Sequence, residues 1–381
     1  MHIFMSRNIK FLKIDNNYYM KMKNTIPSLI LLLLSSALSY GIRNSRNPNA
    51  SPKFSAILIF GDSTVDSGNN NYINTLFKAD FYPYGQDFPG HISSGRFSNG
   101  KLVPDFIASK LGIKDTVPAF LDPKLAEKEL LTGVSFASAG SGYDDVTSLA
   151  PNVIPFPKQV EMFKNYTSRL KGVIGEKEAA NIIGDALLYV SAGTNDWIFS
   201  FYDLPTRRLE FDVHGYQDFL QNRITSFIKE LYDLGCRTFI VNGLPPIGCL
   251  PIQIQAKLRN PKMSAGCLED QNSDSQLYNT KLEKLLPQLQ ANLPGSEILY
   301  GDIYNSPLDM INNPKKYDFV DTKKSCCGGT ELGLSFICEP KAPKCRNTSQ
   351  FLFWDAIHPT QVVYEYLAKF LVEKHLSQVM Y

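Results

Sequence analysis

Five apolar residues in a row, Ala56-Ile57-Leu58-Ile59-Phe60, run up to Gly61 without one polar interruption. A strand with one face in water would alternate, so an unbroken run of this length suits a strand buried on both faces. Leu187-Leu188-Tyr189-Val190-Ser191 and Thr238-Phe239-Ile240-Val241 repeat the pattern, and Ile298-Leu299-Tyr300 gives a shorter version. Between the runs the period changes. Residues 216–234 place Phe219, Leu220, Ile224, Phe227, Ile228 and Leu231 at three- and four-residue steps, the stripe of an amphipathic helix, and 268–293 and 362–376 behave similarly. Buried strands alternating with amphipathic helices predict an α/β fold with a mostly parallel sheet covered by helices on both faces. No internal repeat and no long linker divides the chain, so residues 54–381 are expected to form one domain.

The residues before that domain read differently. Lys21 and Lys23 form a basic flank to an apolar run from Ile26 to Leu34 and on to Leu38, and Ala37-Leu38-Ser39 offers small residues to a signal peptidase. Residues 1–39 are therefore expected to be a leader with a secretory signal peptide, cleaved near Ser39–Tyr40. The run is too short for a comfortable membrane span. A start at Met20 or Met22 would give a signal peptide of more ordinary length. Residues 40–53, rich in Asn, Ser, Arg and Pro, read as a flexible tether.

Cysteine usage agrees with export. Six of the seven cysteines, Cys249, Cys267, Cys326, Cys327, Cys338 and Cys345, fall within one third of the chain, and Cys236 stands apart. In an exported protein they predict three disulfides of open connectivity. Adjacent Cys326 and Cys327 are expected to reach different partners, because a bond between neighbours closes a strained ring. A zinc site is disfavoured, since no C-x-x-C pair and no His at finger spacing is present. Asn49, Asn165 and Asn347 open glycosylation sequons suited to a secreted surface. With 39 basic against 37 acidic residues the net charge is +2, too weak a field to collect nucleic acid or anionic lipid. No protein partner is evident.

In a parallel sheet, ligands sit beyond the carboxyl ends of the strands. Gly61-Asp62-Ser63-Thr64 follows the first run, Gly193-Thr194-Asn195-Asp196 the second, and Asp355-Ala356-Ile357-His358-Pro359 precedes the last helix. A serine hydroxyl needs a base within hydrogen-bond reach to act as a nucleophile. Of the five histidines, His2 lies in the leader, His91 in a Gly/Ser-rich loop, His214 at a helix start and His375 on an expected solvated helix face. Only His358 has a carboxylate three residues before it. A D-x-x-H turn supplies both a base and the group that fixes its tautomer. Acyl transfer also needs donors for the developing oxyanion. The glycine-rich turns at Ser63 and Gly140 can offer backbone N–H groups, and Asn195 a side-chain amide. Each has a plain alternative: Gly140 as a tight turn, Asn195 as a helix cap.

Taken in order, these segments resemble the four blocks of the GDSL, or SGNH, hydrolase family. FGDS around Ser63 is similar to the nucleophile block, ASAGSG to the block whose glycine donates to the oxyanion, GTND to the block whose Asn completes the hole, and DAIHP to the Asp–His block. GDSxxDxGNN, GRFSNGK at 95–101 and GLPPIGC at 243–249 look like the large plant branch. The resemblance implies a three-layer α/β/α sandwich and a triad of Ser63, Asp355 and His358. It also implies an oxyanion hole of Ser63, Gly140 and Asn195, with no metal or organic cofactor. Gly142, in the same block as Gly140, is the competing glycine. Asp62 and Asp66 are read as shaping the turn after the first strand, outside the catalytic set.

The expected activity is hydrolysis of carboxylic esters on small-molecule or lipid substrates by a secreted, extracellular enzyme. Polysaccharide deacetylation or acyl transfer would use the same triad. A peptidase with this triad would release amine from an anilide, and a binding protein on the same fold would show no turnover.

Overall fold

The computed structural model describes residues 54–204, 206–258, 266–328 and 337–376. The leader, the tether and Asn49 lie outside the described residues. Four parallel strands form the central sheet in the order β1 (Ile57–Gly61), β2 (Leu187–Ser191), β3 (Thr238–Asn242) and β4 (Glu297–Gly301). Every residue of β1 and β2 is buried, whereas β4 at the sheet edge is only partly so. That is why its apolar run is the shorter one.

Beside β1, on the edge away from β2, the chain at 133–137 adds a fifth parallel segment. Ile59 N donates to Val134 O at 3.1 Å, and Phe136 N returns to Ile59 O at 2.8 Å. In sequence numbering the order is therefore 2-1-3-4-5. After β1 the chain steps outward to 133–137, then crosses back to β2 on the other side. The winding reverses beside β1, and the switch point at its carboxyl end is the usual ligand position in doubly wound sheets.

Helices cover both faces. On one, α2 (Phe156–Ile174), α4 (Val213–Asp233) and α6 (Glu269–Ala291) pack side by side. Phe60 points into this layer, with ring centroids 5.9 Å from Phe163 and 5.4 Å from Phe227. Alternation along the strand turns Ile59 to the opposite face. There α1 (Val103–Lys110) packs against α8 (Gln361–Leu371). Burying a side chain such as Phe60 contributes about 2–3 kcal/mol. α3 (Glu176–Gly184), α5 (Pro251–Leu258) and α7 (Asn305–Asn312) complete the main helices.

A second sheet pairs two short parallel strands, β5 (Asp321–Ser325) and β6 (Phe351–Phe353), just before the Asp355–His358 loop. Disulfides join Cys249 to Cys267, Cys326 to Cys345 and Cys327 to Cys338, and Cys236 is free and buried. The two neighbours Cys326 and Cys327 do take different partners. Asn165, on α2, and Asn347 are both exposed. His375 departs from its solvated reading. It is half-buried, and burial pushes its imidazole below the usual value.

Candidate active site

Ser63 sits in the turn that leaves β1. Val65 N donates to Asp62 O at 3.2 Å, and Asp62 N donates to Ser191 O of β2 at 3.1 Å, so the Ser63 turn is tied across the switch point. From α2 the buried Gln159 holds Gly61 on both sides. Its Oε1 accepts from Gly61 N and its Nε2 donates to Gly61 O, each at 2.9 Å. Gly61 has φ 146, and a Cβ there would lie 2.0 Å from Ser191 O, so no other residue fits.

The three expected residues meet although Ser63 and His358 are 295 positions apart. Ser63 Oγ lies 2.7 Å from His358 Nε2. His358 Nδ1 lies 2.8 Å from both carboxylate oxygens of Asp355. A carboxylate only accepts, so Nδ1 carries the proton, and Nε2 is left to accept from the serine hydroxyl. Asp355 Oδ1 also accepts from the backbone N–H groups of Ile357 and His358, at 2.9 and 2.8 Å. The D-x-x-H spacing thus closes a turn that fixes its own carboxylate. Ser63, Asp355 and His358 are all buried below a tenth of full exposure, and the ring of Phe97 lies 4.9 Å from the imidazole.

The oxyanion candidates lie on loops bonded to one another: Ser141 Oγ donates to Gly61 O at 2.9 Å, and Asn195 reaches Ser141 in turn. Among the described residues, the backbone N–H groups of Ser63 and Gly140 donate to no protein acceptor. Asn195 makes no capping bond with its side chain; its Nδ2 donates to Ser141 O at 2.9 Å, inside the ASAGSG loop. One amide hydrogen is used there and one is left over. The two glycines of that loop differ in what surrounds them. A Cβ on Gly142 would meet Asp196 Oδ1 at 2.0 Å, so Gly142 makes room for a buried carboxylate. Gly140 has φ 88 and a Cβ there would lie 3.1 Å from the ring of Phe77.

Three buried acids shape these loops. Asp62 accepts from Thr64 N and Thr64 Oγ1, at 2.9 and 2.7 Å. Asp66 accepts from Gly68 N, Asn69 N and Ala139 N, linking the nucleophile loop to ASAGSG. Asp196 accepts from Tyr143 N, Asp144 N and Thr147 Oγ1. Burial pushes Asp62 and Asp66 up to about 6 and Asp196 up to about 7. These bonds match the turn-shaping role expected of Asp62 and Asp66. Among the described residues no group of three or more His, Cys, Asp or Glu side chains could hold a metal ion. No helix among them is long and apolar enough to cross a membrane.

A serine, an imidazole and a carboxylate in hydrogen-bonded series, beside unspent N–H donors, is the equipment of acyl transfer. Residues 57–371 match the family model described as GDSL-like lipase/acylhydrolase. The chain belongs to this family. Among its relatives is the Arabidopsis thaliana protein GDSL esterase/lipase At2g30310, 52% identical over 91% of this chain and 97% of its own length. GDSL esterase/lipase At2g24560 of the same plant is 53% identical over 91% and 96%, and At2g30220 is 55% identical over 84% and 89%.

Around this GDSL site stand supports that the sequence did not reveal. Tyr84 donates to Asp355 Oδ2 at 2.7 Å. Asn99 Oδ1 accepts from Gln361 N at 2.8 Å, at the first residue of α8, so the GRFSNGK block holds the helix that follows His358. In the GLPPIGC block, Asn272 and Asn279 of α6 hold Gly248 N and Leu244 N. Just past it, Ile252 N donates to Ala356 O at 2.9 Å, inside the Asp–His loop. For the contacts of Asn99, Leu244 and Gly248 the sequence signal is the presence of the two blocks; Tyr84 lies in neither.

Proposed function

We propose that this chain is an exported serine esterase that forms an acyl-enzyme on Ser63. The observation that carries the reading is the 2.7 Å approach of Ser63 Oγ to His358 Nε2, with Asp355 on the other ring nitrogen. His358 takes the hydroxyl proton as Ser63 Oγ attacks the ester carbonyl carbon. Asp355 holds the ring in the required tautomer and stabilises the imidazolium that forms. The oxyanion is met by the N–H groups of Ser63 and Gly140 and by the unspent Nδ2–H of Asn195. Collapse of the tetrahedral species returns the proton to the departing alcohol. Water, deprotonated by the same imidazole, then releases the acid. The names of the Arabidopsis relatives, all esterase/lipase, support a carboxylic ester as the substrate class.

Export is supported by the three disulfides, which persist in oxidising compartments, and by the leader pattern before residue 40. In this reading residues 1–39 are removed, 40–53 tether and 54–381 form the catalytic domain. The secreted protein should begin near Tyr40 on N-terminal sequencing, and an intact Met1 would overturn that assignment.

The activity test uses the mature chain with p-nitrophenyl esters from acetate to palmitate, beside acetylated xylan. A serine-directed phosphonate should label Ser63 alone. Ser63→Ala should lower kcat by about 10⁴ to 10⁶ while the protein stays folded. A near-normal rate in Ser63→Ala would remove the triad assignment.

A further inference from the structure

We infer that Tyr84 is a positioning residue of the triad, tuning the charge on Asp355 and tying it to the Cys327–Cys338 disulfide. The inference rests on the triad reading above and extends it by one residue. Tyr84 is fully buried, 271 positions before Asp355, with Phe81, Phe97 and Trp354 around its ring. Its hydroxyl has one proton and two acceptor sites. Cys338 N–H donates to the phenol oxygen at 2.9 Å, so the phenol proton is left for Asp355 Oδ2, 2.7 Å away. The orientation of the hydroxyl is thereby fixed by backbone. A phenol that accepts one bond is also polarised to donate a stronger one.

The division of labour on Asp355 is unequal. Among the described residues, Oδ1 receives two backbone N–H groups besides the imidazole, while Oδ2 has the imidazole and Tyr84. Cys338 is joined to Cys327, and Cys327 N donates to Trp354 O at 2.7 Å, next to Asp355 in the chain. Disulfide, Cys338 amide, phenol and carboxylate therefore form a closed circuit around the catalytic acid. Burial and the carboxylate push the phenol far above its ordinary value, so it stays a neutral donor.

The consequence has a sign. A donor on Oδ2 draws charge from the carboxylate and weakens its support of the imidazolium. Without the donor, the carboxylate favours protonated His358 more strongly, and the acidic limb of the pH profile moves up. The measurement is kcat and kcat/KM against pH on one short-chain nitrophenyl ester, for wild type, Tyr84→Phe and Tyr364→Phe. Tyr364 is the matched control, since its buried hydroxyl has no hydrogen-bond partner among the described residues. Tyr84→Phe should keep phosphonate labelling of Ser63, lose about tenfold in kcat because Asp355 is no longer held in register with the imidazole, and shift the acidic limb up by about one unit, the lower end of what one charge-assisted hydrogen bond provides. Tyr364→Phe should leave the limb in place, and Asp62, the buried acid near 6 whose charge interacts with His358, is present unchanged in every variant, so the difference between variants reads Tyr84 alone.

Should Tyr84→Phe fail to fold, fluorotyrosine at position 84 preserves the shape and strengthens the donor, and the limb should then move down. A limb unmoved in Tyr84→Phe, or in the fluorotyrosine protein, overturns the inference while the triad stands. Full activity in Ser63→Ala would instead overturn the triad reading itself.

Discussion

Asn195 occupies a helix start, yet its side chain does no capping there. Its amide spends one hydrogen on Ser141 O and faces the loop that holds Gly140. Two costs can therefore be separated by measurement. Loss of the bond to Ser141 in Asn195→Ala should lower stability by about 1 kcal/mol. Loss of an oxyanion donor should lower kcat by about 10² to 10³ with little change in KM, because that bond strengthens as negative charge develops. Asn195→Asp should be at least as harmful, since it places an anion beside the forming oxyanion. Steady-state kinetics with thermal melts decide this, and an unchanged kcat in Asn195→Ala would remove the residue from the hole. That Ser63, Asp355 and His358 would meet could be expected from the sequence because each is marked by near neighbours: a strand and its closing glycine before the serine, a carboxylate three residues before the histidine. Tyr84 and Gln159 could not. Tyr84 is one of 19 tyrosines, and its partner is 271 positions away. Gln159 reads as one polar residue of a helix until β1 is laid against it.

The same contrast holds among elements. β1, β2 and β3 are legible because burial on both faces leaves an unbroken apolar run. β5, with the sequence DTKKS, carries no such mark; it is a strand only because β6 lies beside it. The loop at 95–101 has no regular structure and yet binds several elements together. Arg96 forms a bidentate pair with Asp105 of α1, Nε to Oδ2 and Nη2 to Oδ1, both at 2.8 Å. Nη2 also donates to Val117 O at 2.7 Å, and Nη1 reaches Ser67 O at 3.3 Å in the loop that follows Ser63. Both side chains are buried, so removing one partner strands the other's charge. Arg96→Ala should destabilise the protein by about 3–5 kcal/mol in urea unfolding. Arg96→Lys should recover little of this, because an ammonium cannot reproduce the planar fork. A loss below about 1 kcal/mol in Arg96→Ala would show that the pair contributes no more than a surface ion pair.

Among the described residues, burial raises three acids in the loops at the carboxyl end of the sheet. Asp62 and Asp66 are held near 6 and Asp196 near 7, against an ordinary value of 3.8. Between about pH 4 and pH 7 the folded protein therefore keeps protons that the unfolded chain has released. Stability contributed by these groups is present at the acidic end, falls as pH rises through that window and is level above it. His375 acts in the opposite direction, since its lowered value makes the folded state lose stability as pH falls below 6.5. Asp309, held down to about 2 mainly by Lys316, favours the folded state fully above its ordinary 3.8 and loses that contribution as pH falls toward 2. The net curve mixes these signs, so the test isolates one carboxyl. Asp196→Asn cannot ionise, and its stability relative to wild type carries only the Asp196 titration. Wild type should be favoured over Asp196→Asn most at about pH 4.5, and the gap should narrow steadily toward pH 7.5, read by urea unfolding of both proteins. A gap that widens over that range would mean that the hydrogen bonds from Tyr143, Asp144 and Thr147 outweigh burial and hold Asp196 as a carboxylate. The loop carrying Asn195 would then be anchored by a charge at every pH where the enzyme works.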